Sequence, residues 1–208
     1  LDLLIKTIEE KIKNERSDSQ EDMRMYIARS FDVNKPGTDY TKLRGGVLGG
    51  SLLRGEVNKG DEIEIRPGIK VEEKGTSNLV FKPLRTYVTS MISGGKSRKS
   101  LKPGGLVAIG TELDPFLTKS DSLIGAVVGK PETLPPVVNQ LTLKTYLMKN
   151  LVGTDKKVKV EEIKTNEVLM LNIGTATTVG IVTSARDDSA DLNLRMPICA
   201  ENGQRVAI

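Results

Sequence analysis

Residues 45–68 read GGVLGGSLLRGEVNKGDEIEIRPG and place short apolar runs between glycines. Within this stretch Ile63 and Ile65 alternate with charged residues, which is the two-residue period of a strand with one face in water. Strands of about five residues joined by tight glycine turns are typical of a small barrel or sandwich. This stretch therefore predicts an all-β fold.

Glycines in this number also raise the alternative of a phosphate-binding loop. A P-loop requires Gly-x-x-x-x-Gly-Lys followed by Ser or Thr, and a dinucleotide site requires its glycines between a strand and a helix. Here Gly55 is followed by Glu56 and Gly60 by Asp61, and no helical pattern comes after them. We therefore interpret these glycines as turn and bulge residues.

The rest of the chain continues in short apolar runs separated by turn residues. Residues 1 to about 14 are the exception, because apolar positions at helical spacing predict an amphipathic helix. A polar linker follows to residue 21, and the proline-rich GKPETLPPVV at 129–138 predicts a boundary between two modules. The prediction is two consecutive small β-barrels, at 22–131 and 132–208, preceded by a short helix. Within the second, LKTYLMKNLVG at 143–153 is also compatible with a helical turn.

Composition excludes several chemistries. The 208 residues include no histidine, so His-based triads, most catalytic zinc sites and imidazole acid–base pairs are excluded. The single cysteine, Cys199, has no internal disulfide partner, lies in an apolar run, and is expected to be a small buried residue in a protein of the reducing cytoplasm. No apolar run is long enough to cross a bilayer, so we expect no membrane partner. Adjacent carboxylates are expected to face solvent instead of serving acid–base catalysis; they are Glu72–Glu73, Glu161–Glu162 and Asp187–Asp188.

One segment is strongly basic. From Lys74 to Thr111 the chain has no acidic residue and seven basic ones: Lys74, Lys82, Arg85, Lys96, Arg98, Lys99 and Lys102. A solvated barrel face is one interpretation, and a site for RNA phosphates or an acidic protein is the other. Only Phe81 and Tyr87 are aromatic within it, which argues against a stacking platform for single-stranded bases and favours contact with the nucleic-acid backbone by shape and charge.

Longer motifs carry a family resemblance. RGGVLGGSLLRGEVNKGDEIEIRPG resembles the β-barrel signature of the second domain of translational GTPases. ARSFDVNKPGT, PGGLVAIGTELDPFLTKSD, NEVLMLNIGTATT and GIVTSARDD resemble, more narrowly, the gamma subunit of archaeal and eukaryotic translation initiation factor 2. The likeness extends over nearly all of residues 23–208. Another translational GTPase, related to elongation factor Tu or to the selenocysteine-specific factor, is the alternative, and an unrelated β-barrel enzyme is a third hypothesis.

The resemblance implies a function for the whole protein. In that family a GTPase domain with GTP and Mg²⁺ precedes two β-barrels, and the subunit carries initiator methionyl-tRNA to the small ribosomal subunit. The alpha subunit docks on the second domain and the beta subunit on the GTPase domain. Residues 1 to about 14 would then be the last helix of a GTPase domain. No nucleotide motif of the family occurs here, so the resemblance implies a non-catalytic chain without a cofactor of its own.

The ends of the chain are interpreted as cuts in a longer protein. The first residue is Leu, and the chain ends at RVAI, before the arginine- and tryptophan-containing segment of family members. We therefore expect an unpaired edge in the last sheet.

The resemblance also implies residue roles. The aminoacyl end of tRNA lies between the GTPase and second domains of such proteins, which matches RSFD and PGGLVAIGT here. The expected tRNA-facing residues are Arg29, Phe31, Asp32, Lys42, Arg44 and Gly105, although Phe31 is equally compatible with the core. The expected patch for RNA or a partner comprises Lys82, Arg85, Lys96, Arg98, Lys99 and Lys102, and its loop is one candidate for the alpha-subunit dock.

Overall fold

The computed structural model describes residues 1–11, 21–71, 80–150 and 159–208. Helix α1 spans Asp2–Lys11, and none of its residues is buried. Its apolar stripe, which includes Leu4, Ile5 and Ile8, is exposed. The helix was predicted to extend to about residue 14, and residues 12–14 lie outside the described part. No helix of the described ranges is long and apolar enough to cross a membrane.

The first unit is a closed barrel of antiparallel strands. The strands are β1 (Arg24–Phe31), β2 (Val47–Arg54), β3 (Val57–Asn58), β4 (Glu62–Val71), β5 (Val80–Ser93), β6 (Lys96–Ser97), β7 (Ser100–Leu101), β8 (Leu106–Thr111) and β9 (Val127–Gly129). Their sheet order is β4-β9-β1-β2-β8-β5-β6, and an additional β4–β5 pairing closes the six strands from β4 to β5 into a cylinder. Strands β3 and β7 form a separate two-stranded ribbon.

The interior of this barrel is filled by alternate residues of its strands. On β1, Met25 and Ile27 are completely buried, and Leu48 on β2 and Ile109 on β8 join them. Because side chains of a strand alternate between its faces, the residues between these positions lie on the outer surface of the barrel. That outer surface carries the candidate sites described below.

The second unit is an open sheet of five antiparallel strands in the order β10-β13-β12-β11-β14. Within the described residues it forms half a barrel, with β10 and β14 at its edges. Its core contains Leu171, Val182, Leu192 and Ile198. The strands are β10 (Val137–Lys144), β11 (Val168–Ile173), β12 (Ala176–Arg186), β13 (Ser189–Cys199) and β14 (Val206–Ala207). The prediction of two consecutive small β-barrels after a short helix is confirmed, the first as a closed barrel and the second as a half-barrel.

The helical alternative for residues 143–153 is wrong within the described residues. Leu143 and Lys144 belong to strand β10, and residues 145–150 contain no helix. Residues 151–153 lie outside the described part. Strand pairing explains the difference, because Leu143 lies opposite Ala190 of β13 and packs against the core of the second unit.

The glycines of residues 45–68 have backbone roles. A Cβ on Gly50 would collide with the backbone carbonyl of Tyr26 across the sheet, where β1 has a bulge between Ile27 and Arg29. Gly55 has φ +72°, and a Cβ there would lie 2.5 Å from Cα of Met23. The interpretation of these two glycines as bulge and turn residues is confirmed.

Candidate functional site

An apolar groove lies on the outer surface of the first barrel. It has a volume of about 840 Å³ and is formed by the outward faces of β1, β2, β8 and β5 with the loops at residues 33–45 and 112–115. We call it the apolar groove. Its apolar lining residues are Phe31, Val33, Leu43, Val47, Ile92, Ala108, Leu113 and Pro115.

Phe31 lies in this groove and not in the core. It is the last residue of β1, opposite Val47, and its side chain is 37% exposed, whereas its neighbour Ser30 is buried. The strand alternation therefore resolves the two interpretations of Phe31 in favour of the surface. Exposed apolar residues collected in a concave surface are typical of a binding site.

A loop at one wall of the groove is held by Asn34. Its backbone N–H and its Nδ2 both donate to Oδ1 of Asp32, at 2.8 and 2.7 Å. Its side-chain amide also pairs with the backbone of Arg44, accepting from the N–H at 2.8 Å and donating to the carbonyl at 2.7 Å. Asp32 is thus engaged in a local Asx-type turn. The side chain of Arg44 lines the groove, and Lys42 is exposed on the short 3₁₀ helix Tyr40–Lys42 of the same loop.

Arg29 is engaged in an ion pair. Its Nε donates to Oδ1 and Oδ2 of Asp121 at 2.9 and 3.1 Å, and the backbone N–H of Ser30 donates to the same Oδ1. These hydrogen bonds lower the pKa of the Asp121 carboxyl and raise the pKa of Arg29. The prediction placed Arg29 at the tRNA-facing surface without this partner, which comes from a segment 92 residues away.

Gly105 lies away from the other predicted tRNA-facing residues. It precedes Leu106, which pairs with Ser51 at one end of β8, whereas Gly110 at the other end pairs with Val47 beside Phe31. Gly110 is four positions after Leu106 on β8, so the two ends are about 13 Å apart at about 3.3 Å per residue. The structure therefore does not bring Gly105 to the groove with Phe31. Antiparallel pairing explains this outcome, since only the far end of PGGLVAIGT reaches that groove.

The basic segment is partly neutralised by acids from other strands. Arg85 lies 3.4 Å from Glu64 and 3.6 Å from Glu132, and Lys102 lies 3.7 Å from Glu56. In a barrel the spatial neighbours of a strand come from distant sequence, so the absence of acids within the segment does not make its whole surface positive. Lys74 lies outside the described residues. Across 21–71, 80–150 and 159–208, no carboxylate forms an ion pair with Lys82, Lys96, Arg98 or Lys99.

Three of these cations share one loop. Lys96 belongs to β6, and Arg98 and Lys99 follow it before β7. We call residues 94–102 the basic loop. The backbone N–H of Arg98 donates to the carbonyl of Met91, which fixes the loop against β5 while all three side chains remain exposed.

A second groove, of about 790 Å³, lies beside the apolar groove. It is lined by Lys59, Gly60, Tyr87, Val88, Thr89, Lys99 and Glu112, and we call it the lysine–tyrosine groove. Thr89 and Glu112 also line the apolar groove, so the two grooves adjoin. The basic loop enters the second groove through Lys99.

Ion pairs and hydrogen bonds connect the two units at the linker 130–136. Arg66 of β4 donates from Nη1 to the carbonyls of Leu134 and Pro135, at 3.0 and 3.2 Å. Arg24 of β1 donates to the carbonyl of Thr133, and the Cys199 thiol donates to that of Pro135. These contacts hold the linker between the first barrel and strand β13. We call this arrangement the linker clamp.

Glu64 is the buried carboxylate of the linker clamp. Its side chain is 2% exposed and accepts from Arg66 Nε at 2.5 Å and from the backbone N–H of Glu132 at 3.1 Å. Burial raises the pKa of a carboxyl, but here the hydrogen bonds from Arg66 and Glu132 and the charges of Arg66 and Arg85 outweigh it. The pKa of Glu64 is consequently lowered.

Glu201 pairs with two arginines of the first barrel. Its Oε1 lies 3.0 Å from Nη2 of Arg24 and 2.7 Å from Nη2 of Arg54. The Arg24 side chain is only 6% exposed, and burial lowers its pKa against the opposing effect of Glu201. Beside this pair, Gln204 donates to the Tyr26 hydroxyl at 2.9 Å. The two units therefore meet through ion pairs and hydrogen bonds at this contact.

Sequence reasoning missed these partners. Asp121 lies 92 positions from Arg29 and Glu201 lies 147 positions from Arg54. Glu64 is only 2 positions from Arg66 but 68 positions from Glu132, from whose backbone N–H it accepts a hydrogen bond. For Glu64 the alternation of apolar and charged residues in β4 predicted a side chain that faces solvent. The carboxylate is buried instead because the linker covers that outer position.

The remaining predictions concern the single cysteine and the adjacent carboxylates. Cys199 is buried as expected, and burial raises the pKa of its thiol to about 11. Glu161, Glu162, Asp187 and Asp188 are exposed, as expected, while the pair at 72–73 lies outside the described residues. Among the ranges that the structure describes, no group of three or more acidic or cysteine side chains is arranged to hold a metal ion.

Comparisons with known proteins agree with this architecture. The family described as initiation factor eIF2 gamma, C terminal, matches residues 139–208. Over all 208 residues the chain is 53% identical to translation initiation factor 2 subunit gamma of Methanothermobacter thermautotrophicus and 52% identical to that of Methanocaldococcus jannaschii. The chain spans about half the length of these relatives, 50% in each case. A crystal structure of the bacterial selenocysteine-specific elongation factor superposes with a TM-score of 0.68, at 22% identity, over 99% of this chain and 28% of that one.

The closed barrel followed by a half-barrel defines the fold class, and the bacterial selenocysteine-specific elongation factor shares this fold over 99% of the chain. At 22% identity the elongation factor shows the fold alone. The relatives that match every residue are more specific. The chain corresponds over its whole length to about half of a translation initiation factor 2 gamma subunit.

Proposed function

We propose that this chain forms the tRNA-facing and subunit-docking part of a gamma subunit. In the whole protein that subunit binds GTP with Mg²⁺ and delivers initiator methionyl-tRNA to the small ribosomal subunit in the cytoplasm. The observation that carries the proposal is the identity above 50% to gamma subunits over every residue of the chain. In this proposal GTP, Mg²⁺ and the beta subunit are bound by a GTPase domain, and this chain has no catalytic role.

The acceptor end of the tRNA is proposed to occupy the apolar groove. Phe31 and Val47 supply an apolar wall for a terminal base or for the esterified amino acid. Lys42 is exposed on the adjoining loop and Arg44 lines the groove, and both are cations suited to nearby phosphates. An apolar surface bordered by cations matches the chemistry of a charged polynucleotide that ends in an uncharged group.

The test compares the affinity of the 208-residue chain for initiator methionyl-tRNA and for the deacylated tRNA. We expect Phe31→Ala to weaken binding of the acylated tRNA about tenfold, the loss of about one stacking contact. Tyr146→Ala is the matched control, because Tyr146 is 81% exposed on the other unit. Equal affinities of Phe31→Ala and the unchanged chain would exclude the apolar groove as the binding site of the tRNA acceptor end.

The basic loop is proposed to meet either RNA phosphates or the alpha subunit. Replacing Lys96, Arg98 and Lys99 by Ser is expected to flatten the salt dependence of tRNA affinity if these residues contact phosphates, by about 0.7 to 0.9 log unit per contact. Loss of binding to the isolated alpha subunit with an unchanged slope would identify the loop as the protein dock. Binding of the alpha subunit to the unchanged chain tests the gamma-subunit assignment itself.

A further inference from the structure

The lysine–tyrosine groove combines two ammonium groups with an exposed aromatic ring. Tyr87 is 49% exposed on the outer face of β5. Lys59 and Lys99 line the groove with it, and both side chains are exposed. A ring offers a face to a planar base, and ammonium groups offer charge to the phosphates on either side of that base.

The backbone holds this arrangement in place. The N–H of Lys59 donates to the carbonyl of Lys99 at 3.0 Å, so the two lysines are on directly bonded segments. The N–H of Gly60 donates to the carbonyl of Val88 at 2.8 Å, which ties the turn to the strand that carries Tyr87. Gly60 has φ +93°, and a Cβ at this position would meet no atom within 4 Å. The groove is therefore unobstructed at Gly60.

Charge and position together favour a polynucleotide as the occupant. Among the described residues neither Lys59 nor Lys99 forms an ion pair, and the one carboxylate that lines the groove is Glu112. Glu112 stands on the side shared with the apolar groove, with its backbone N–H fixed by Thr86 Oγ1 at 3.1 Å. An RNA strand that ends in the apolar groove would pass this border and reach Tyr87 next.

We propose that the lysine–tyrosine groove binds the single-stranded nucleotides that precede the terminal residue of the tRNA, with one base stacked on Tyr87 and phosphates at Lys59 and Lys99. This inference rests on the proposed function, because it extends the path of the same RNA. The sequence alone argued against base stacking in the basic segment; the groove places one exposed ring between two lysines, which allows a single stacked base.

The probe is a 5′-labelled single-stranded RNA of about ten nucleotides, with the 208-residue chain titrated by fluorescence anisotropy at several salt concentrations. Tyr87→Thr is expected to weaken binding about tenfold, and Tyr87→Phe, which retains the ring, to bind within about twofold of the unchanged chain. Lys59→Ser is expected to reduce the slope of log affinity against log salt by about 0.7. Tyr87→Phe also shows whether the effect comes from the ring or from folding.

A second exposed lysine–tyrosine pair provides the matched control. Lys144 Nζ lies 5.6 Å from the ring centre of Tyr146 on the second unit. Lys144→Ser and Tyr146→Thr are expected to leave both the affinity and the slope unchanged. Equal losses from the control pair would mean that the RNA contacts surface lysines without selection, and the proposal would be wrong.

The outcomes separate this inference from the proposed function. If Phe31→Ala weakens tRNA binding while Lys59→Ser and Tyr87→Thr do not, the RNA ends in the apolar groove and leaves by another path. If neither groove affects RNA binding, both proposals fail. If Lys59→Ser and Tyr87→Thr abolish binding of the alpha subunit and leave RNA binding unchanged, the groove is a protein dock and the inference is overturned.

Discussion

Glu64 illustrates how a single carboxylate can be buried and still remain ionised. Its two oxygens accept from the Arg66 side chain and the Glu132 backbone, and Arg85 adds a second positive charge. A carboxylate in this environment stabilises the fold in its charged form, because the hydrogen bonds favour the anion. Removing the charge leaves Arg66 beside the linker without its partner.

We expect Glu64→Gln to lower the free energy of unfolding at pH 7 by on the order of 3 kcal/mol. Since the folded-state pKa is lowered, this contribution is present above the unfolded pKa of about 4.3 and is lost as the pH falls through the folded value. The difference between the variant and the unchanged chain should therefore shrink below about pH 4. Urea denaturation at several pH values measures it.

Glu62→Gln is the control for this experiment, because Glu62 lies on the same strand and is exposed. We expect a change within about 0.5 kcal/mol. A similar loss at both positions would indicate a general effect of charge on β4, and the specific role of Glu64 would be contradicted.

At the scale of a secondary-structure element, strand β2 shows why the glycines of residues 45–68 are needed. Gly49 and Gly50 are consecutive, and their missing side chains point to opposite faces. At Gly49 a Cβ would lie 3.5 Å from Cβ of Arg29, an ordinary contact. At Gly50 it would overlap the carbonyl of Tyr26, which belongs to the backbone of β1 and has little freedom to move.

We therefore expect Gly50→Ala to destabilise the chain by about 2 kcal/mol or more, the cost of forcing an extra group into a packed site. Gly49→Ala should be close to neutral, since it adds a group in ordinary contact and removes a flexible residue from a strand. Thermal unfolding followed by circular dichroism checks the pair. Equal effects would show that flexibility, and not the close approach of β1, explains the requirement for glycine.

The sequence predicts features that depend on neighbouring residues and does not predict contacts between residues far apart in the chain. Alternation at Ile63 and Ile65 predicts β4, and glycine turns predict strand ends, because these patterns arise from neighbouring residues. The motif assigned Phe31 to the tRNA-facing residues and left its burial open; the structure places it on the surface, and its role stays a prediction. The pairing of Arg29 with Asp121 could not be predicted, because Asp121 lies 92 positions away in a short 3₁₀ helix that only the fold brings to β1. The distance of Gly105 from Phe31 follows from the register of β1, β2 and β8, which are far apart in the chain.

At the scale of the whole molecule, the two units are joined by ion pairs as well as by the linker. Glu201 follows strand β13 and binds Arg24 and Arg54 on neighbouring strands of the first barrel. Near it, Val127 and Leu134 form an apolar cluster with Cys199. These contacts favour a fixed orientation of the two units.

We expect Glu201→Gln to weaken this contact and to destabilise the chain by about 1 to 2 kcal/mol, because the buried guanidinium of Arg24 loses a counter-charge that solvent partly screens at the 38% exposed carboxylate. The barrel and the half-barrel should then separate more readily, which a pair of fluorescent labels, one on each unit, would detect as a broader distance distribution. Glu161→Gln is the control, since Glu161 forms an exposed ion pair with Lys164 within the second unit. Exposed pairs contribute about 0 to 1 kcal/mol, so its distance distribution should not change. An unaltered distribution in Glu201→Gln, with stability lost equally in both variants, would show that apolar packing at the linker holds the two units and that the ion pairs are dispensable.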